Sequence, residues 1–160
     1  MARHAAPMRL FRTLLAPHDF SPASRAGFVY AEALARQAGA RIHLLHVVEA
    51  PALHALTPAG PLDLALPDVV VTGALLEAEK LLIELAEASR ADVQVHVVEG
   101  QPTEIICEMA ERLPADLIVM GTHGRDGFAH RLLGSVAERT LRRAPCPVLT
   151  LRAGYAAPSR

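Results

Sequence analysis

Tryptophan is absent from this sequence, and aromatic residues of all kinds make up only 4% of its 160 residues. A base-stacking platform of the kind that grips single-stranded RNA or DNA is therefore not expected. There are two cysteines, Cys107 and Cys146. They form no C-x-x-C pair, and each sits in an apolar stretch, so they read as reduced core thiols in a reducing compartment. Sixteen basic and seventeen acidic residues leave a formal net charge of −1. Near neutrality there is no overall field to draw in nucleic acid or an anionic membrane, so a bound phosphate must be held by local geometry. No apolar run approaches the ~18 residues that a membrane helix needs. The basic stretch Met1–Arg9 is followed only by the short, broken run Leu10–Ala16, which does not suit a secretion signal. A cytoplasmic protein is expected. The histidines show no H-E-x-x-H motif, and His43 and His46, three apart on a strand, face opposite sides and cannot share an ion.

What is present is globular: 51% hydrophobic and 21% charged residues, enough for one domain with its own core. A single domain is expected, its core spanning about residues 9–152 between two tails. Leu10–Ala16, closed by Pro17, reads as a buried strand. Ser21 and Pro22 signal a helix start, and Gly39 a stop. Ile42–Val48 forms a second strand. Between Glu49 and Asp68 four prolines and Gly60 predict a long connection, and Leu75–Ala88 an amphipathic helix, with Leu75, Leu76, Glu79, Leu82, Ile83 and Ala86 on its buried side and flank. Val93, Val95 and Val97 alternate with Gln94, His96 and Val98, a strand with unlike faces suited to a sheet edge. Pro102–Arg112 predicts a helix, Leu117–Met120 a central strand, Ser135–Arg143 a helix and Pro147–Leu151 a last strand. This β-α-β-α-β-α-β-α-β alternation demands an α/β fold with one doubly wound five-stranded parallel sheet, Rossmann-like or flavodoxin-like, expected in the order 3-2-1-4-5. Such sheets bind ligands at the carboxyl ends of strands, where the order reverses. The places to look are just after Ala16, Val48 and Met120.

After Met120 comes Gly121-Thr122-His123-Gly124, and nine residues later Gly134-Ser135 opens a helix. Glycine lets backbone N–H groups approach an oxyanion closely, and a helix N-terminus adds further donors and partial positive charge. The pattern is neither a Walker loop nor the G-x-G-x-x-G fingerprint. Gly121 and Gly124 alone could simply punctuate a turn at a strand end; the full spacing to a serine at a helix start favours a phosphate cradle. Asp19 has two readings as well, a cap for the helix that follows or a carboxylate ligand group.

Gly121-x2-Gly124-x9-Gly134-Ser135-Val136, closed by Pro145-Cys146-Pro147-Val148-Leu149, resembles the nucleotide-binding branch of the universal stress protein family. Leu14-Leu15-Ala16-Pro17-His18-Asp19-Phe20-Ser21 and Leu44-Leu45-His46-Val47-Val48 are similar to its other hallmarks, and the resemblance runs from about Arg9 to Arg152. It implies ATP binding, with Gly121, Gly124, Gly134 and Ser135 holding the phosphates and Asp19 the ribose hydroxyls. Pro17, Val47 and Met120 would border base and sugar, with His123 and Val136 at the phosphate end. A magnesium or manganese ion bridging the phosphates would take most of its ligands from phosphate and water. The resemblance also implies a homodimer through the last strand, Pro147–Leu151. His18 departs from the family pattern, which favours a small residue before the aspartate. The reading is nucleotide occupancy as a regulatory stress signal, without efficient catalysis. Two alternatives stand beside it: a slow ATPase or phosphoryl- or adenylyl-transfer enzyme, and a nucleotide-independent interaction module.

Overall fold

The computed structural model describes residues 10–49, 66–122 and 134–154, with only the backbone of 66–70. Nine elements follow one another: β1 (Thr13–Pro17), α1 (Pro22–Ala38), β2 (Arg41–Val48), α2 (Leu66–Ala88), β3 (Asp92–Glu99), α3 (Pro102–Arg112), β4 (Leu117–Gly121), α4 (Ser135–Arg143) and β5 (Val148–Leu151). All strand pairs are parallel, and the sheet runs β3-β2-β1-β4-β5. This is the doubly wound order expected from the alternation. β3, the strand with unlike faces, lies at one edge.

The central strands are apolar on both sides because both sides are covered. Leu14, Ala16, Ile42, Leu44, Leu117 and Val119 point into one core with Phe28, Ala31 and Ala35 of α1 and Leu82 of α2. Leu15, Leu45, Ile118 and Met120 point into the other, with Ile106, Met109 and Ala110 of α3 and Ala137 of α4. α1 is well punctuated. The Ser21 side chain accepts the Ser24 N–H as N-cap, and Gly39 closes the helix in the left-handed region at φ 64°, where glycine escapes the Cβ penalty.

Most boundaries fall within a residue of the expectation, and the exceptions have local causes. β1 begins at Thr13, not Leu10, and Leu10 is exposed. The start is set by Asp116, whose Oδ2 accepts the N–H groups of Arg12 (2.6 Å) and Thr13 (2.8 Å). An Asp116→Ala variant should lose about 1–2 kcal/mol, the cost of unpairing donors at a charged acceptor. A lower urea midpoint at unchanged slope would register it. α2 begins nine residues before Leu75, because Pro67 sits in the first turn, where its missing N–H costs nothing. Its buried stripe is Val71, Ala78 and Leu82, with Leu85 packed beside it, whereas Leu76 and Ile83 are exposed. The predicted 49–68 connection lies mostly outside the described residues. β5 starts at Val148 rather than Pro147, as proline cannot donate to the ladder.

Candidate functional site

Strand order reverses between β1 and β4, since the chain runs outward from β1 to β3 and then crosses back to β4 beside it. The carboxyl ends at such a switch point are the usual ligand position of doubly wound sheets. Pro17 ends β1, Val47 is the penultimate residue of β2, and Met120 and Gly121 end β4. Gly134, Ser135 and Val136 begin α4 on the far side of the β4 loop. Thr122 fastens this end of the sheet. Its N–H donates to the Leu151 carbonyl (2.7 Å), and its own carbonyl accepts the Gly134 N–H. The candidate residues at the ends of three strands and the start of one helix thus share the carboxyl side of the sheet. His123 and Gly124 lie outside the described residues, as do Arg125, Asp126 and Arg131.

The Asp19 loop is the most tightly specified part. Asp19 Oδ1 accepts the Ser21 N–H at 3.0 Å, and the Asp19 N–H donates to Ser24 Oγ at 3.3 Å. Burial by itself would raise the carboxyl pKa, but hydrogen bonds from Ser21 and Ser24 outweigh it and hold the group below its ordinary value. Asp19 is therefore a carboxylate at neutral pH, an acceptor without a donor of its own. The cap of α1 is Ser21, not Asp19. Asp19 instead braces the turn before the helix.

Two histidines support this loop, and the sequence reading attached no role to them. The His18 side chain is buried (3% exposed), with Nδ1 accepting the Phe20 N–H at 3.2 Å. Its remaining proton must then sit on Nε2, which is buried and has no hydrogen-bond partner among the described residues. Burial, partly offset by Asp19, lowers its pKa to about 4, with Arg25 and His46 pushing the same way as burial. His46 Nδ1–H donates to the His18 carbonyl at 2.7 Å. Phe20 lies edge-on to His18 at 5.2 Å and tilted against His46 at 4.7 Å between ring centroids. It has φ 65°, the one non-glycine residue in the left-handed region among those described. His43, on the opposite face of β2, pairs with His96 at 2.9 Å, so His43 and His46 are indeed separated by the sheet.

Gly121 has a packing reason of its own. A Cβ there would stand 2.5 Å from the Ala23 carbonyl carbon and 2.7 Å from the Ser24 nitrogen. Gly27 returns the contact, its Cβ position lying 3.2 Å from the Met120 carbonyl carbon. The start of α1 thus rests directly on the end of β4, bringing the segment that follows Asp19 against the end of that strand. Met120 is buried among the second core, leaving little side-chain surface for a ligand, whereas Pro17 and Val47 are half-exposed.

At Gly134 the α4 terminus is extended (φ −72°, ψ 157°), and Gly134 has no side chain with which to cap it. Its leading N–H groups suit an anion. Among the described residues no group of three or more His, Cys, Asp or Glu could hold a metal ion. Burial pushes the Cys107 and Cys146 thiols up, and neither is in a disulfide; both are protonated at neutral pH and poor nucleophiles. No helix among the described residues is long and apolar enough to cross a membrane.

The strand order defines a doubly wound α/β protein whose switch point lies between β1 and β4. The universal stress protein family model matches residues 10–152, and the chain belongs to that family. It is 34% identical over 143 residues to universal stress protein MJ0531 of Methanocaldococcus jannaschii, covering 89% of this chain and 83% of that one. Among solved structures, the hypothetical protein MJ0577 superposes with a TM-score of 0.79 at 24% identity, covering 92% of this chain and 99% of that one, a likeness of fold. A universal stress protein solved in complex with cAMP is 26% identical, with a TM-score of 0.60 and coverage of 90% and 98%.

Proposed function

We propose that the chain binds ATP in the crevice at the carboxyl ends of β1, β2 and β4, and that nucleotide occupancy is its regulatory output. The observation that carries this reading is that an ionised, hydrogen-bonded Asp19 after β1 and the α4 terminus at Gly134–Ser135 after β4 lie at the same, carboxyl end of the sheet. An acceptor-only carboxylate suits ribose hydroxyls, and a helix N-terminus suits phosphates. The glycine spacing and the relative solved with cAMP both support an adenine nucleotide. Gly121, His123, Gly124 and Val136 would complete the phosphate end, and Pro17, Val47 and Met120 the apolar border. A magnesium or manganese ion would be held mainly by the phosphates. A homodimer through β5, an edge strand with half-buried Val148 and Leu149, belongs to the same proposal.

Mass spectrometry of small molecules released from freshly purified, denatured protein, followed by calorimetry with ATP and cAMP, tests it. Asp19→Ala should weaken ATP binding by about 2 kcal/mol, roughly thirtyfold, the cost of unpairing partners of a charged acceptor. Unchanged affinity would leave Asp19 as a brace for the turn and nothing more. No measurable ATP affinity in the unmodified protein would overturn the proposal.

A further inference from the structure

Phe20 is the unexplained residue of the Asp19 loop. A bulky side chain in the left-handed region costs on the order of 1 kcal/mol and persists only where its surroundings hold it there. Here the restraints are visible. His18 Nδ1 accepts the Phe20 N–H, the Phe20 ring packs on His18 and His46, and His46 clamps the His18 carbonyl from the next strand. The peptide that follows Phe20 carries the Ser21 N–H to which Asp19 Oδ1 is bound. Turning Phe20 back to an ordinary conformation would redirect that N–H and release the carboxylate.

His18 serves this arrangement at a cost to the fold. Its Nε2–H is buried with no acceptor among the described residues, a penalty that an apolar side chain of similar size would not incur. We infer that His18 is a positioning residue: it holds Phe20 in the left-handed conformation and so fixes the direction of the Asp19 carboxylate toward a ribose-bearing ligand. The inference rests on the nucleotide reading for the ligand, but its structural half stands apart from it. His46 completes the device by tying β2, next to Val47, to the same loop.

Two substitutions separate this role from simple packing. His18→Leu keeps the bulk and removes the acceptor. His18→Asn places Oδ1 where Nδ1 stood, so the Phe20 N–H keeps a partner. Both remove the imidazole charge, so their difference isolates the hydrogen bond. Both should fold, as circular dichroism and thermal melting at neutral pH would show. Side-chain carboxyl NMR then follows the titration of Asp19. It should stay low in His18→Asn and move up toward the ordinary carboxylate range in His18→Leu. In parallel, calorimetry gives the ratio of dissociation constants for 2′,3′-dideoxy-ATP and ATP. That ratio should be about tenfold or more in the unmodified protein and in His18→Asn, from hydrogen bonds to a charged acceptor, and fall toward one in His18→Leu. A folded His18→Leu with Asp19 titration unmoved overturns the inference, whatever the ratio does. If no nucleotide binds at all yet Asp19 still shifts only in His18→Leu, positioning stands and the nucleotide reading falls.

Discussion

Gly121→Ala is expected to cost about 3 kcal/mol of stability, the upper end for overpacking a closed site, and to lower the melting temperature by about 6–12 °C for a domain of this size. The added methyl would stand 2.5 Å from the Ala23 carbonyl carbon and 2.7 Å from the Ser24 nitrogen. These are backbone atoms at the start of a 17-residue helix. They cannot rotate aside, so α1 must lift from β4. The reduced freedom of the unfolded chain returns only about 0.4–1 kcal/mol. Gly27→Ala, whose Cβ would meet the same interface at 3.2 Å, should cost less. Thermal melts of both variants check the order, and equal melting temperatures would contradict the packing account. There is a functional consequence too. Ser24 and Ser21 hold Asp19, so lifting α1 disturbs the proposed ribose contact. Loss of nucleotide binding in a Gly121 variant would not by itself establish a phosphate contact.

That double duty shows where the sequence was legible and where it was not. The order of elements followed from period and punctuation, and even the edge placement of β3 was visible, since Val93, Val95 and Val97 alternate with more polar neighbours. Asp19, Gly134 and Ser135 could be singled out because carboxylate, glycine and helix start carry local chemistry. The demand on Gly121 could not be seen, because it comes from a helix almost a hundred residues earlier crossing the strand at close range. The start of α2 was hidden for another reason. Pro67, the β-branched run Val69–Thr72 and Gly73 all have low helix propensity, and tertiary packing of Val71 overrides it. Leu76 and Ile83 misled in the opposite sense, as apolar residues at helical spacing that the fold leaves in solvent.

His18 is the sharpest case, noticed in the sequence only as a departure from the family pattern. Its role depends on a left-handed Phe20 and on His46, 28 positions away, neither of which local pattern reveals. The hydrogen bond to Asp19 is read in a short segment; the restraint that makes it rigid is assembled by the sheet.

The same burial makes His18 a source of acid sensitivity. Its pKa is about 4 in the folded chain against an ordinary value of 6.5. Between these values the unfolded chain binds the proton that the folded chain refuses, so stability rises with pH there. The contribution is complete above about pH 6.5 and is lost as pH falls toward 4. The loss amounts to about 2 kcal/mol at pH 5 and about 3 kcal/mol at pH 4. The melting temperature should therefore fall by about 4–8 °C between pH 7.5 and pH 5 from this residue alone. His43 and His96 are also shifted down by burial and add in the same direction. Asp19, also held low, loses its contribution only below the ordinary carboxylate range, so the two effects occupy separate windows. Thermal melts from pH 8 to pH 4.5 on the unmodified protein and on His18→Leu separate them further. The variant should follow a flatter curve, with the difference opening below pH 6.5 and reaching about 2.5 kcal/mol by pH 4.5. Parallel curves would mean that His18 is protonated as readily folded as unfolded, which its buried, partnerless Nε2–H opposes: with Nδ1 already accepting from Phe20, a second proton would set donor against donor at 3.2 Å.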